Sequence, residues 1–326
     1  MDIGPLLPSI ERLLAAKAGI FLEESLAFHQ HMSAEALNRK SIVIIGGTSG
    51  LGLSAARAFV AAGARVVVVG RDAQKVELAE KELGRSAIGF VADASDSKSA
   101  PAAINIALGN FQRFDGLYHV AGGSGRRQGD GPLHEMTDEG WEYTINENLT
   151  SLIFSNRAAV QQFLKQQTGG SILNMGSVLG YSPSPHFFST HGYAAAKAAI
   201  IGLTKSAAAY YAPANIRFNV VAPALVATPM SQRAQGDEVI LRFIATKQPL
   251  DGGRIGQPSD LDGAAVFFMS EASAFATGQV LAVDGGWSVS DGQIPTRAEA
   301  QGGGQPQSES VFQTLGRLWS KLRKGQ

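Results

Sequence analysis

The chain has 326 residues, of which 44% are hydrophobic and 17% are charged, a composition typical of a globular protein with a buried core. Its 28 basic and 28 acidic residues cancel, so the charge balance does not indicate nucleic-acid binding. The lack of cysteine excludes disulfide bonds, a thiol nucleophile and metal held by thiolates, and no metal site is predicted.

The sequence indicates neither a membrane span nor a secretory leader. Apolar runs stay below the ~20 residues that a spanning helix needs. The N-terminus does not combine a basic region, an apolar stretch and a small-residue cleavage site. We therefore expect a cytoplasmic protein.

Residues 1–39 are predicted to form a helical N-terminal extension. Apolar residues recur there at helical spacing: Leu6, Leu7, Ile10, Leu13 and Leu14. This pattern indicates one or two helices ahead of the first strand.

Residues 40–290 alternate short apolar runs with helical patterns. Seven runs are predicted as strands, at residues 41–47, 64–70, 87–93, 116–122, 171–177, 216–223 and 279–286. Their β-branched content and lack of alternating polar positions favour parallel strands covered on both faces. Amphipathic stretches such as LSAARAFVAAG and DLDGAAVFFMSEA are long enough for crossover helices. The repeat predicts an α/β fold with a doubly wound parallel sheet, as a single domain.

Residues 291–326 differ in composition from this domain. DGQIPTRAEAQGGGQPQSES is rich in Gly, Gln, Ser and Pro and predicts a flexible linker. The final VFQTLGRLWSKLRKGQ has an apolar helical face that includes Leu315 and Trp319, and basic residues that include Lys321 and Arg323. Such a tail can bind an anionic membrane or a partner's groove. It can equally pack on the protein itself or remain in solvent.

The first predicted strand leads directly into GGTSGLG, residues 46–52. Glycines permit a tight turn and let a pyrophosphate approach the backbone, while the next helix offers free N–H groups. Because the motif follows a strand and precedes a helix, it favours a dinucleotide cradle over a plain turn.

Three polar residues are set into the apolar segment 169–197. Tyr193 and Lys197 lie four residues apart, so they share one face of a helix. The neighbouring ammonium is expected to lower the tyrosine pKa from its ordinary value near ~10, which would make the phenol an acid-base catalyst. Ser177, at the end of the fifth strand, is expected to donate a hydrogen bond to the substrate oxygen on which charge develops.

The G-x-x-x-G-x-G spacing, together with Tyr-x-x-x-Lys, resembles the short-chain dehydrogenase/reductase family over residues 40–290. The resemblance implies a seven-stranded Rossmann fold, NAD(P)-dependent oxidoreductase activity and a homo-oligomer, either a dimer or a tetramer. It also implies that Asn148 joins the catalytic set and completes a proton relay from Lys197. A purely structural asparagine at a helix kink is the alternative, and the two roles are compatible.

The cradle and the resemblance together predict the cofactor contacts. They are Gly46, Thr48, Ser49, Gly50, Leu51, Gly52, Arg71, Asp93, Ala94, Ala121, Gly122, Tyr193, Lys197, Pro223, Val226 and Thr228. The sequence departs from the family pattern at Ile45, His119, Val120 and Ala224. His119 is expected to be a hydrogen-bonded core residue, and Ala224 is expected to leave the backbone of its loop less permissive than the family's glycine would.

The end of the second strand bears on the choice of coenzyme. Gly70 and Arg71 stand where an NAD enzyme would be expected to place an acidic residue, and the guanidinium offers a cation to a 2′-phosphate. NADP is therefore favoured, with NAD still possible. The alternative is that Arg71 is a solvated surface charge offset by Asp72.

The loop between Ser177 and Tyr193 is a few residues longer than is usual in the family, which indicates an enlarged pocket mouth. Its apolar side chains Tyr181, Phe187 and Phe188 are expected to line the site, and residues 228–250 to form a lid. His186 and His191 are expected in the pocket wall. Arg126 and Arg127 could bind a substrate carboxylate or phosphate, or be solvated.

Two functions of different classes follow. The favoured one is an NADP-dependent oxidoreductase that interconverts a small-molecule carbonyl and a secondary alcohol. The alternative is a cofactor-binding scaffold or regulator without turnover, which uses its tails for recruitment.

Overall fold

The structure is a computed structural model that describes residues 35–292. The predicted N-terminal extension, apart from its last five residues, lies outside the described residues. So do the predicted linker and basic tail from residue 293 onwards. The first described residues form a turn in which Leu37 is buried and its N–H donates to the carbonyl of Ala62 at 2.9 Å.

Seven strands form one sheet in the order β3-β2-β1-β4-β5-β6-β7, and every neighbouring pair is parallel. The strands are β1 Ser41–Ile45, β2 Arg65–Gly70, β3 Ala87–Val91, β4 Gly116–His119, β5 Gly170–Met175, β6 Ile216–Pro223 and β7 Val280–Val283. The predicted doubly wound parallel sheet is confirmed.

Helices cover both faces of the sheet. They are α1 Gly50–Ala61, α2 Ala73–Leu83, α3 Ser99–Phe111, α4 Asp138–Ile145, α5 Ser151–Gln166, α6 His191–Tyr211, α7 Gln232–Gln235, α8 Glu238–Lys247 and α9 Asp262–Met269. A π-helical turn, Asn146–Thr150, joins α4 to α5. Single 3-10 turns lie at Gly84–Ser86, Gly125–Gln128, Val178–Gly180, Ala212–Ala214, Pro229–Ser231, Leu250–Gly253, Pro258–Leu261 and Glu271–Ser273. Within residues 35–292, no helix has both the length and the apolarity needed to cross a membrane.

The interior strand β1 shows why both helical layers are needed. Ile42 and Ile44 of β1 pack into an apolar cluster with α1 and α9. Val43 and Ile45 point the opposite way, into a cluster with α3 and α5. Successive side chains of a strand alternate between faces, so a strand that is apolar at every position requires cover on both sides.

Several strands end earlier than their apolar runs predict. The run 116–122 is a strand only to His119, because the N–H groups of Val120 and Ala121 both turn to the carbonyl of Ile45. The run 41–47 ends at Ile45, since the next two amides both donate to the carbonyl of Val69. These residues belong to loops at the carboxyl edge of the sheet.

The order of strands creates a crevice at that edge. From β1 the chain builds outward to β2 and β3, and it then returns to place β4 on the opposite side of β1. The loops that follow β1 and β4 therefore diverge. Ligands of open α/β sheets bind at such a switch point.

Candidate active site

A cleft of about 930 Å³ lies at the carboxyl ends of the central strands. Its wall contains all four predicted catalytic residues and every predicted cofactor contact except Gly52. The predicted residues that line it are Gly46, Thr48, Ser49, Gly50, Leu51, Arg71, Asp93, Ala94, Ala121, Gly122, Asn148, Ser177, Tyr193, Lys197, Pro223, Val226 and Thr228. The fold thus brings together residues that are up to 182 positions apart in the chain.

The glycine loop after β1 is closely packed against its surroundings. Gly46 has a left-handed φ of 87°, and a β-carbon there would lie 2.7 Å from the backbone nitrogen of Ala121. A β-carbon on Gly52 would overlap the carbonyl oxygen of Gly46. Gly52 therefore allows α1 to start close to β1. Gly50 and Leu51, the first residues of α1, line the cleft, and the first N–H groups of a helix have no partner within it. These features fit a dinucleotide phosphate cradle.

Charged residues meet at the far end of the cleft, beyond β2. Arg71 Nη1 lies 3.2 Å from a carboxylate oxygen of Glu147 and 3.8 Å from one of Asp93. Asp72, which could otherwise have offset Arg71, caps α2 and accepts the N–H groups of Gln74 and Lys75. The partners of Arg71 are therefore Glu147 and Asp93, and Glu147 is a residue that the sequence did not single out.

Ser177, Tyr193 and Lys197 converge on one point of the wall. Ser177 lies two residues beyond β5, and its Oγ accepts the N–H of Leu179 at 3.2 Å, which leaves the hydroxyl proton to be donated. The Ser177 side chain is also hydrogen-bonded to the Tyr193 phenol. Lys197 is buried, with Nζ 5.4 Å from the centre of the tyrosine ring. The helical spacing of tyrosine and lysine thus places both groups at the cleft, as predicted.

The expected pKa of the tyrosine is wrong in direction. Burial raises the pKa of Tyr193 to about 12, and the hydrogen bond with Ser177 lowers it less than burial raises it. The ammonium of Lys197 donates to the carbonyl of Met175 at 3.0 Å instead of meeting the phenol. Burial also lowers the pKa of Lys197 to about 8. The phenol is consequently protonated at neutral pH.

Asn148 lies in the π-helical turn between α4 and α5. Its Nδ2 donates to the carbonyls of Gly123 and Thr144, both at 2.8 Å, and its Oδ1 accepts the N–H of Gly123 at 3.1 Å. These bonds hold the loop after β4 against the helix. Asn148 therefore has the structural role that was given as the alternative. It also lines the same cleft wall as Lys197.

His119 is a buried core residue, as the sequence predicted. Its Nδ1 lies 2.8 Å from Ser155 Oγ, and its Nε2 lies 3.4 Å from Ser151 Oγ. Burial, and then the charge of Lys197, lower the pKa of His119 to about 3. The imidazole is neutral at physiological pH.

The enlarged loop contributes less to the cleft than predicted. Phe188 lines it, but Tyr181, His186 and His191 do not and are exposed. Phe187 instead packs on Phe243 of α8, within the predicted lid 228–250, with ring centres 4.9 Å apart. The loop buries its phenylalanines against α8 and Trp287, so its more polar rings turn to solvent.

Asp130 is a site residue that sequence patterns missed. Its buried carboxylate accepts the backbone N–H groups of Gly192 and Tyr193, both at 2.9 Å, and the hydroxyl of Thr144 at 3.4 Å. A carboxylate at a helix N-terminus satisfies amides that have no partner within the helix and complements the helix dipole. Asp130 thus fixes the first turn of α6, on which Tyr193 lies. No sequence spacing connects positions this far apart.

Asp130→Asn should misplace the tyrosine, since a side-chain amide presents one acceptor oxygen where the carboxylate presents two. We expect the free energy of unfolding to fall by about 1–2 kcal/mol and kcat to fall about tenfold, with the coenzyme Kd unchanged. Asp138→Asn, in the exposed first turn of α4, is the matched control. Loss of stability with unchanged kcat would show that Asp130 does not position Tyr193.

A family model described as enoyl-(acyl carrier protein) reductase matches residues 46–288. A 2-dehydro-3-deoxy-D-gluconate 5-dehydrogenase of Dickeya dadantii (strain 3937) is 34% identical over 253 residues, which are 77% of this chain and 96% of the relative.

Two solved structures share the fold. A short-chain type dehydrogenase/reductase from Mycobacterium ulcerans has a TM-score of 0.73 and 26% identity, covering 80% of this chain and 94% of that one. A 3-oxoacyl-[acyl-carrier protein] reductase with bound NAD from Brucella melitensis has a TM-score of 0.68 and 30% identity, covering 80% and 95%. The chain therefore belongs to the short-chain dehydrogenase/reductase family, oxidoreductases that use NAD or NADP and act on alcohol and carbonyl groups.

Proposed function

We propose that this protein interconverts a ketone or aldehyde and the corresponding alcohol with NADP(H), and that Tyr193 is the general acid and base. The observation that carries the proposal is the convergence of Ser177, Tyr193 and Lys197 in the cleft that also contains the glycine cradle. The relative from Dickeya dadantii, named as a dehydrogenase of 2-dehydro-3-deoxy-D-gluconate, has the same class of reaction.

The residues that line the cleft are proposed to hold a nicotinamide dinucleotide. The loop from Gly46 to Gly52 would hold the pyrophosphate, and Arg71, Asp93 and Ala94 would hold the adenosine end. At the other end, the contacts proposed for the nicotinamide and its ribose are Ala121, Gly122, Tyr193, Lys197, Pro223, Val226 and Thr228. The coenzyme, when bound, supplies or accepts the hydride.

The chain's own groups handle the proton. In the direction of reduction, the Ser177 hydroxyl donates a hydrogen bond to the carbonyl oxygen and Tyr193 transfers its phenolic proton to that oxygen. A pKa of about 12 keeps this proton in place until negative charge develops on the substrate. In the reverse direction Tyr193 must accept the proton, and the ammonium of Lys197 then stabilises the phenolate. Asn148 is proposed to complete the relay beside Lys197.

The preference for NADP rests on the cation beyond β2. Arg71 lines the cleft and is exposed, and Lys75 lines the same end of the wall. Glu147 holds the guanidinium at this end, while Asp72 is engaged at the N-terminus of α2. Arg71 is therefore proposed to bind a 2′-phosphate, because Asp72, the neighbouring carboxylate, is already engaged by backbone amides.

Titration of NADPH and NADH, followed by turnover with a panel of ketones, tests this function. We expect tighter binding of NADPH, and in Arg71→Ser a loss of about tenfold or more in NADPH affinity with NADH affinity nearly unchanged. Arg85→Ser, exposed and outside the cleft, is the control. Equal losses for both coenzymes would contradict the role of Arg71. Binding without turnover of any carbonyl compound would favour the scaffold.

Three further expectations remain proposals. Residues 40–290 are proposed as the catalytic domain of a cytoplasmic enzyme. Homo-oligomerisation is proposed to involve β7. This strand lies at one edge of the sheet, its Leu281 is exposed, and an unpaired edge favours pairing with another chain. A membrane or partner contact through the basic tail is proposed from its sequence alone.

A further inference from the structure

Two arginines from different elements line the cleft. Arg126 lies in the 3-10 turn Gly125–Gln128 after β4, and Arg233 lies in α7 after β6. Both are part of the wall that includes Ser177 and Tyr193. Arg71 differs from them because it is paired with carboxylates beyond β2.

Contacts within the chain hold Arg233 in place. Its Nη2 donates to the carbonyl of Phe187 at 3.1 Å, and its guanidinium carbon lies 6.0 Å from the centre of the Phe188 ring. Both phenylalanines belong to the long loop before Tyr193. The enlarged loop therefore positions a cation at the cleft as well as apolar surface.

Neither guanidinium forms an ion pair with any residue between 35 and 292, whereas Arg113 and Arg254 are each bonded to a carboxylate. Asp130 lies near Arg126, but both of its oxygens accept backbone amides of α6. Burial and the charge of Arg233 lower the pKa of Arg126, and Asp130 offsets this only in part. The two guanidinium groups thus lie in one wall, and no carboxylate of residues 35–292 neutralises either of them.

We propose that Arg126 and Arg233 together bind an oxyanion group of the substrate, so that the enzyme acts on a carbonyl compound bearing a carboxylate, phosphonate or phosphate ester. The inference rests on the proposed function. Planar guanidinium groups bind such oxyanions through paired, charge-assisted hydrogen bonds. An anion between them would relieve the repulsion of two like charges. Ser177 and Tyr193 would then hold the carbonyl, which fixes the substrate at both ends.

The test compares ω-keto carboxylates and ω-keto phosphonates of graded chain length with their neutral methyl esters. In the wild type we expect the best anion to have a kcat/KM at least about tenfold above that of its ester. Arg126→Gln and Arg233→Gln should each reduce kcat/KM for the anions about 10- to 100-fold, with esters changed less than about twofold. Arg242→Gln, exposed on α8 and outside the cleft wall, should match the wild type. Comparison of the carboxylate and phosphonate series identifies the preferred anion.

Binding provides a second readout that does not depend on turnover. Trp287 lies in the cleft wall, so quenching of tryptophan fluorescence should report binding of the same keto acids and esters. The anion site would be overturned if the wild type bound or reduced anions and esters equally well. It would also be overturned if the arginine variants weakened the binding or reduction of both classes equally. A weaker coenzyme Kd in Arg126→Gln would also overturn it, by assigning the arginine to the coenzyme. Anion-selective binding without reduction would instead count against the proposed function alone.

Discussion

Replacement of Tyr193 by phenylalanine should reduce kcat for carbonyl reduction by at least about 10³-fold, within the range that general acid-base catalysis contributes. The variant keeps the aromatic ring and loses only the hydroxyl, which is the proposed proton source and the hydrogen-bond partner of Ser177. The ring still packs beside Lys197. Coenzyme affinity should therefore change by less than about threefold, because a single exchangeable hydrogen bond is worth little net free energy.

Tyr210→Phe is the matched control for this substitution, because Tyr210 lies in the same helix and is 77% exposed. Both variants should give wild-type circular dichroism and nearly the same Tm. The decisive measurement is single-turnover oxidation of NADPH with a ketone that the wild type reduces. A Tyr193→Phe enzyme with unchanged kcat would disprove the assignment of Tyr193 as proton donor.

Replacement of Lys197 by methionine should inactivate the enzyme and make it more stable. The side chain is 3% exposed and its pKa is lowered to about 8 by burial, so the protein stabilises the ammonium less than water does. The shift corresponds to about 3 kcal/mol at neutral pH. Part of this is offset in the variant, since the carbonyl of Met175 loses its donor, at about 1–2 kcal/mol. We expect a net gain of about 1–2 kcal/mol and a loss in kcat of about 10²-fold or more.

The pH dependence of stability provides a specific check on Lys197. Its pKa is about 8 in the folded protein and 10.5 in the unfolded chain, so the unfolded state binds more protons between these values. The free energy of unfolding of the wild type should therefore rise with pH from about 8 towards about 10. This rise should disappear in Lys197→Met and persist in Lys205→Met, an exposed position of the same helix. Identical profiles for wild type and Lys197→Met would show that Lys197 is not the responsible group.

Local patterns in the sequence predicted the parts of the site that depend on neighbouring residues. The glycine loop follows a strand and opens a helix, and Tyr193 and Lys197 are one helical turn apart, so each geometry follows from short-range rules. The buried strands were recognisable for the same reason, because a run such as 41–45 is apolar on both faces.

Contacts between distant elements could not be predicted in this way. Asp130 meets Tyr193 across 63 positions, and Arg71 meets Glu147 across 76, and no periodicity connects such pairs. The predicted shift of the Tyr193 pKa was wrong in direction. The sequence shows that Lys197 is a nearby charge, but it does not show that the phenol is buried. His191 was placed in the pocket wall on sequence proximity to Tyr193, yet the first turn of α6 directs it to solvent.

The position of β1 in the interior of the sheet, between β2 and β4, affects how the chain folds as it emerges from the ribosome. One edge of β1 pairs with β2 almost at once, whereas its other edge waits for Gly116–His119, about 70 residues later. At ordinary rates of translation that delay lasts several seconds. During this interval the nascent protein presents an open, apolar strand edge, a feature that promotes aggregation. Chaperone demand should therefore be greatest before β4 is synthesised, and chains truncated between β3 and β4 should be the least soluble of a nested series.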